Sequence, residues 1–233
     1  MQIHLLDATY ELFRAHFGRP PRAGIDGEPV GATLGVVESV LSLLREDGVT
    51  HLGCATDHVI WSWRNERYGG YKTDEGMPPE LLAQFPLVEE ALRALGVVVW
   101  PMVEFEADDA LAAGAARWAE RFDVERVNLC SPDKDMAQCV QGDRVVMVDR
   151  RRRRVIDEAG VREKFGVSPA SMPDWLEPIA EANPFTKVTN ASRALYNGLP
   201  VGNLAWQSLA WSFGIIIVFS FLSMRKFRQA SSR

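Results

Sequence analysis

The feature that most constrains this chain is a repeated unit in which a short apolar run rich in strand formers ends in an acidic residue and gives way to a helical pattern. Ile3-His4-Leu5-Leu6 runs into Asp7, and His51-Leu52-Gly53-Cys54-Ala55 runs into Asp57. Val97-Val98-Val99-Trp100 leads to Glu106, Asp108 and Asp109, and Val127-Asn128-Leu129-Cys130 leads to Asp133 and Asp135. Arg144 to Val148 reads as a fifth strand that closes the series. Strands separated by helical stretches imply crossover connections, and hence an α/β fold with a mostly parallel sheet. Val36, Val37, Val40, Leu41, Leu43 and Leu44 mark one helix that ends near Gly48. A single helix is expected from about Pro79 to Leu95, with Leu81, Leu82, Phe85, Val88, Ala91 and Leu92 at helical spacing and Gly96 as its stop. Another starts around Glu106 and carries Ala110, Leu111, Ala115 and Trp118 toward the sheet.

Charge divides the chain at about residue 174. Residues 1–174 hold 20 Lys+Arg and 29 Asp+Glu, a net of −9, while 175–233 hold 6 and 2, a net of +4. No charge falls between Ala194 and Met224, and Leu204 to Leu222 is long enough to cross a bilayer. Trp206 and Trp211 near its start and the cluster Arg225, Lys226, Arg228 after it suit a membrane-spanning helix. A buried core helix is the alternative, one that Gln207, Ser208, Ser212, Ser220 and Ser223 would tolerate. Met1 to Thr9 lacks the basic start of a signal peptide and contains Asp7, so residues 1–174 are expected in the cytoplasm, with membrane association only through 204–222. Cys54, Cys130 and Cys139 form no CxxC pair, which argues against a disulfide framework or a zinc knuckle.

In open α/β sheets the carboxyl ends of parallel strands meet at one crevice. Asp7, Asp57, Glu106, Asp108, Asp109, Asp133 and Asp135 all occupy such positions. Carboxylates gathered without a cation repel one another and oppose folding. A divalent ion resolves the repulsion, and an all-oxygen set without His or Cys suits Mg²⁺ or Mn²⁺, the makeup of a phosphoryl-transfer or nuclease site. Each motif alone has a blander reading: Asp57 as a helix cap, Glu106-Ala107-Asp108-Asp109 as an acidic first turn, Asp133-Lys134-Asp135 as a turn with its own lysine. Their coincidence at one sheet edge carries the inference. Trp61 to Lys72 alternates cations, aromatics and glycines, as a phosphate clamp with stacking surfaces would, or a solvated loop anchored by Trp61 and Trp63. Arg150 to Arg154 is a basic run that suits either DNA backbone or a solvated turn.

Leu6-Asp7-Ala8-Thr9, Thr56-Asp57-His58, Trp63-Arg64-Asn65-Glu66, Tyr68-Gly69-Gly70-Tyr71-Lys72, EADDAL at 106–111 and SPDKDMAQ at 131–138 together resemble the 5′-to-3′ exonuclease family. That family includes the 5′-nuclease domain of bacterial DNA polymerase I and is related to flap endonucleases. The resemblance covers residues 1–174 and implies a three-layer PIN-like or resolvase-like domain that hydrolyses phosphodiester bonds in DNA at 5′ ends or flaps, without a small-molecule cofactor. It implies metal ions held by Asp7, Glu106, Asp108, Asp109, Asp133 and Asp135, with Asp57 among the catalytic carboxylates. It also implies DNA contacts through Arg14, Arg64, Tyr71 and Lys72.

After Met172-Pro173-Asp174-Trp175-Leu176 the family's Gly-Asp-x-x-Asp element and helix-turn-helix unit are not found. Residues 175–233 resemble instead the last interfacial segment and final membrane helix of ABC-2 type transporter permeases. The expectation is therefore a chimera joined near 172–177, with a helical, membrane-spanning tail and a nuclease impaired by its missing ligands. A non-catalytic nucleic-acid-binding domain and a membrane-anchored permease fragment are the rival readings.

Overall fold

The computed structural model describes residues 1–67 and 71–173, together with isolated positions between 195 and 217. It divides into two units, residues 1–172 and 173–233.

The first unit begins with strand β1 (Gln2–Asp7), which passes directly into helix α1 (Ala8–Gly18), followed by α2 (Gly31–Leu44) and β2 (His51–Asp57). Short helices α3 (Trp63–Arg67) and α4 (Pro79–Leu82) precede α5 (Gln84–Ala94), β3 (Val98–Met102), α6 (Ala107–Ala119) and β4 (Arg126–Cys130). A 3₁₀ turn at Lys134–Cys139 leads to β5 (Val145–Asp149), β6 (Arg154–Ile156) and α7 (Glu158–Phe165). The six strands form one sheet in the order β3-β2-β1-β4-β5-β6. Every neighbouring pair is parallel except β5 and β6. The chain steps outward from β1 to β3 and then returns to the far side of β1 with β4. Strand order thus reverses between β1 and β4, which opens a crevice at their carboxyl ends.

Side chains alternate across the sheet, so Leu6 and Leu5 serve different layers. Leu6, Cys54 and Cys130 pack with Leu12, Val36, Val40, Phe85, Val88 and Leu92 from α1, α2 and α5. On the opposite face Leu5 approaches α6 at Gly114, where an added Cβ would stand 3.0 Å from Leu5 Cδ1. Gly35 plays the equivalent part between α1 and α2, since a Cβ there would come within 2.6 Å of Ala15 Cβ. Three layers result.

The strands lie within about two residues of the expected runs, but three features depart from expectation. The single helix over 79–95 is two, because Pro86 has no N–H to offer the Leu82 carbonyl and its ring crowds that group. Within α5 the proline falls in the first turn, where it is tolerated. Helix α1 carries no separate start signal because Asp7 serves as both the last strand residue and the N-cap, accepting from Tyr10 N at 2.8 Å. The arginine run is a hairpin turn, one of its two expected readings, and the departure is the sixth, antiparallel strand it leads into, with Arg153 at φ 52°.

Of the tail, the described residues at 205–207, 209–210, 212–214 and 216–217 are helical. Among the described residues no helix is long and apolar enough to cross a membrane. The expected span over 204–222 falls partly outside the described residues, as does the basic cluster Arg225, Lys226 and Arg228 that follows it.

Candidate active site

Four carboxylates surround the crevice at the β1–β4 reversal. Asp7 is buried at the end of β1, with Oδ1 held by Tyr10 N and Oδ2 accepting from Ser131 Oγ at 3.2 Å. Asp57, at the end of β2, accepts from Ala107 N at 2.8 Å through Oδ1 and from Lys72 Nζ at 2.6 Å through Oδ2. Its own backbone N–H donates to Thr9 Oγ1 at 2.7 Å, which ties β2 to the start of α1. Asp108, in the first turn of α6, leaves Oδ1 buried with no hydrogen-bond partner. Asp133 follows β4, caps the 3₁₀ turn through Asp135 N at 2.9 Å, and is exposed. Asp7, Asp57 and Asp108 line a common cleft of about 260 Å³ with Lys72 and Glu106.

The electrostatics follow from this placement. Burial pushes the Asp108 carboxyl up to about 7, and the charges of Asp7, Asp133 and Asp57 add to the shift. Burial likewise raises Asp7 to about 6, with Asp57 adding to it against the Tyr10 N–H. Asp135 is raised by burial and then by Asp133, and its Oδ1 is also buried without a partner.

Glu106 and Asp109 are held differently. They form a capping box at the start of α6, in which Asp109 Oδ2 accepts from Glu106 N at 3.0 Å. Glu106 Oε1 also accepts from Ser62 Oγ at 2.7 Å. Arg64 forks onto both oxygens of Asp109 at 2.8 Å and lies 3.2 Å from Glu106. Those hydrogen bonds hold the Asp109 carboxyl below the ordinary carboxylate range and raise the Arg64 guanidinium. Lys72 bridges Asp57 and Glu106, the latter at 3.7 Å. Burial acts against its charge, but Asp57 and Glu106 outweigh burial and the net shift is upward. Burial and then Glu106 push the nearby Tyr71 hydroxyl above its usual value.

Arg64 and Lys72, expected to face substrate phosphate, are thus turned onto the carboxylates, and much of the repulsion expected to require a metal is offset by these two cations. Among the described residues no group of three or more His, Cys, Asp or Glu side chains stands in an arrangement that could hold a metal ion as it is. The donor set nevertheless fits a hard cation, since the orphaned acceptors on Asp108 and Asp135 are oxygen and their neighbours are carboxylates. Arg14 lies apart from the cleft, paired with Glu11 on α1. Ser131, Thr9 and Ser62 orient the acidic groups and are not among the residues the sequence marks as candidates. The first two lie inside the quoted motifs, which is the signal that could have found them.

A family model described as 5′-3′ exonuclease, N-terminal resolvase-like domain, matches residues 2–166. A 5′-3′ exonuclease of Aquifex aeolicus is 28% identical over 180 residues, covering 77% of this chain and 61% of the relative. DNA polymerase I of Rhizobium leguminosarum is 36% identical over 181 residues, covering 74% of this chain and 18% of the polymerase. A bacteriophage T5 flap endonuclease solved as a pseudo-enzyme-product complex with DNA and metal ions aligns with a TM-score of 0.54 at 19% identity, over 72% of this chain and 61% of that one. At that identity the likeness is one of fold. None of these relatives is a permease, so they lend the permease resemblance of residues 175–233 no support.

Proposed function

The chain belongs to the 5′-3′ exonuclease family, whose N-terminal resolvase-like domain it carries, and on that footing we propose that residues 1–172 form a divalent-metal-dependent nuclease acting on DNA at 5′ ends or flaps. The observation that carries the reading is Asp108. A carboxylate oxygen buried without a donor, beside three further carboxylates, is costly to keep and has a use when a cation enters. Mg²⁺ is the ion proposed, with Mn²⁺ as its substitute.

A bound divalent cation supplies Lewis-acid charge for phosphodiester hydrolysis and acidifies water. The remaining work falls to the chain's own groups. Tyr10 N–H and Ser131 Oγ fix the rotamer of Asp7, and Ala107 N–H fixes that of Asp57. Asp108 has a free oxygen and lines the same cleft, and Asp133 and Asp135 extend the acidic wall past β4. Glu106 and Asp109 act through Lys72 and Arg64, which they store at the rim of the cleft until a phosphate offers an alternative anion. Tyr71 lies on the same rim and supplies a face for an unstacked base. The cytoplasm is the proposed compartment, consistent with Cys54, Cys130 and Cys139 being free thiols.

Single-turnover cleavage of a 5′-labelled flapped duplex by the full chain tests the proposal. Products should form with Mg²⁺ or Mn²⁺ and not in excess chelator. An equal rate in chelator sinks the metal-dependent reading, and tight DNA binding with no cleavage in any cation would favour a binding domain instead.

Membrane attachment through 204–222 is a separate proposal. Its structural support is the exposure of Trp206, Phe213, Ile216 and Ile217. Flotation of the full chain with lipid vesicles is the expected result, and a chain that stays at the bottom of the gradient without detergent argues against it.

A further inference from the structure

The arginines at 150–154 are not used by the acidic crevice, and the fold gives them separate tasks. Arg152 lies 3.8 Å from Asp149, Arg154 lies 3.6 Å from Glu163, and Arg153 makes the turn. Arg150 and Arg151 instead line a cavity of about 410 Å³, together with Tyr10, Arg14, Ser39 and Ser131. Arg150 is drawn inward, its side chain 16% exposed. Its Nη1 donates to Ser39 Oγ at 2.8 Å and its Nη2 to the Ser39 carbonyl at 3.0 Å. Its Nε is buried and has no partner. The closest carboxylate to it is the exposed Glu46, at 3.9 Å. Arg151 is exposed, and among the described residues it has no carboxylate partner.

The acidic groups of this cavity are already engaged. Glu11 accepts from Arg14 and from Ser39 Oγ, Glu38 pairs with Arg19, and Asp149 has Arg152. The charge left over is positive and comes from Arg150 and Arg151. The cavity also adjoins the acidic cleft: Tyr10 lines both, and Ser131 reaches from the cavity wall to Asp7.

We propose that this cavity is a phosphate subsite for the DNA strand whose neighbouring phosphate lies in the acidic cleft, with Arg150 and Arg151 as its donors. It rests on the nuclease reading given above. Arg150, fixed by its fork onto Ser39 with further N–H groups left on both Nη atoms, and the loosely held Arg151 suit tetrahedral phosphate oxygens, which accept several charge-assisted hydrogen bonds at once. The phosphate is either the terminal 5′-phosphomonoester or an internal phosphodiester, and the two share this chemistry.

The test is the affinity of the full chain, in chelator so that no cleavage occurs, for fluorescent flapped duplexes ending in 5′-phosphate or 5′-hydroxyl, measured across a salt series. Arg151→Ala should weaken binding about tenfold at low salt and make the slope of log affinity against log salt shallower by about one. Arg150→Lys keeps the charge but cannot reproduce the fork, and should weaken binding without lowering the slope. Loss confined to the 5′-phosphorylated probe identifies the terminal group as the ligand, and equal loss on both probes identifies an internal phosphodiester. Affinity, slope and end preference all unchanged in both variants, with melting temperatures preserved, would overturn the subsite. Metal-dependent cleavage by the same preparations separates the two readings: the nuclease proposal survives a failed subsite if cleavage still needs the cation.

Discussion

Asp108→Asn is expected to slow cleavage of a flapped duplex by about a thousandfold or more, equivalent to roughly 4 kcal/mol of lost transition-state stabilisation. The same change should stabilise the chain in chelator. Asn keeps the shape and removes a charge that Asp7, Asp57 and Asp133 oppose. The sign of the pH dependence follows from the raised carboxyl. Its folded value of about 7 lies above the ordinary 3.8, so the folded state holds the proton longer than the unfolded state does. The stabilisation from this group is therefore complete below about pH 4 and is lost as pH rises through 7. Asp7, raised to about 6, acts in the same direction. Denaturant midpoints in chelator should fall over this window in the natural chain and fall less in Asp108→Asn. A variant that loses cleavage and stability together would mark Asp108 as structural.

Lys72→Ala is the second substitution with a large expected effect. It leaves Asp57, whose side chain is 7% exposed, without its 2.6 Å partner, and takes a cation from beside Glu106. Removing one member of a largely buried pair typically costs about 3–5 kcal/mol, and the 29% exposure of Lys72 brings the expected loss down to about 1–3 kcal/mol. Excess divalent cation should recover part of that loss by binding the folded state. DNA affinity should also weaken for all sequences alike, since Lys72 acts on phosphate and not on base identity. A midpoint unchanged from the natural chain would show that the Lys72 ion pair is not formed in solution.

The strand ends were legible because a buried parallel strand concentrates β-branched and apolar residues, and the acid that follows marks where it leaves the sheet. Asp7, Asp57 and Asp133 therefore stand where the sequence placed them, at the carboxyl edge of β1, β2 and β4. The partition of the acidic groups was not legible. Nothing in the spacing of Glu106-Ala107-Asp108-Asp109 tells which carboxylate caps the helix and which is left bare; that depends on Arg64, 45 residues from Asp109 in the sequence and hydrogen-bonded to it in the fold. Ser131 and Thr9 lie inside recognisable motifs, but their hydrogen bonds to Asp7 and Asp57 join segments far apart in sequence, and no local period marks them. Helix α1 has no boundary signal of its own because Asp7 closes the strand and opens the helix with no loop residue between them. The sixth strand is three residues long and begins in the arginine run, too short to show alternation. For residues 204–222 the sequence supplies length and lack of charge, properties that a membrane helix and a buried helix share.

On the proposed reading, the carboxylates at the β1–β4 reversal bind a divalent cation through Asp108. Calorimetric titration of Mn²⁺ into the full chain, and into Asp108→Asn beside it, tests this most directly. Saturable binding to the natural chain, abolished or strongly weakened in the variant, is the expected result at a pH above the Asp108 transition. Equal binding to both proteins, or none to the natural chain, would contradict it.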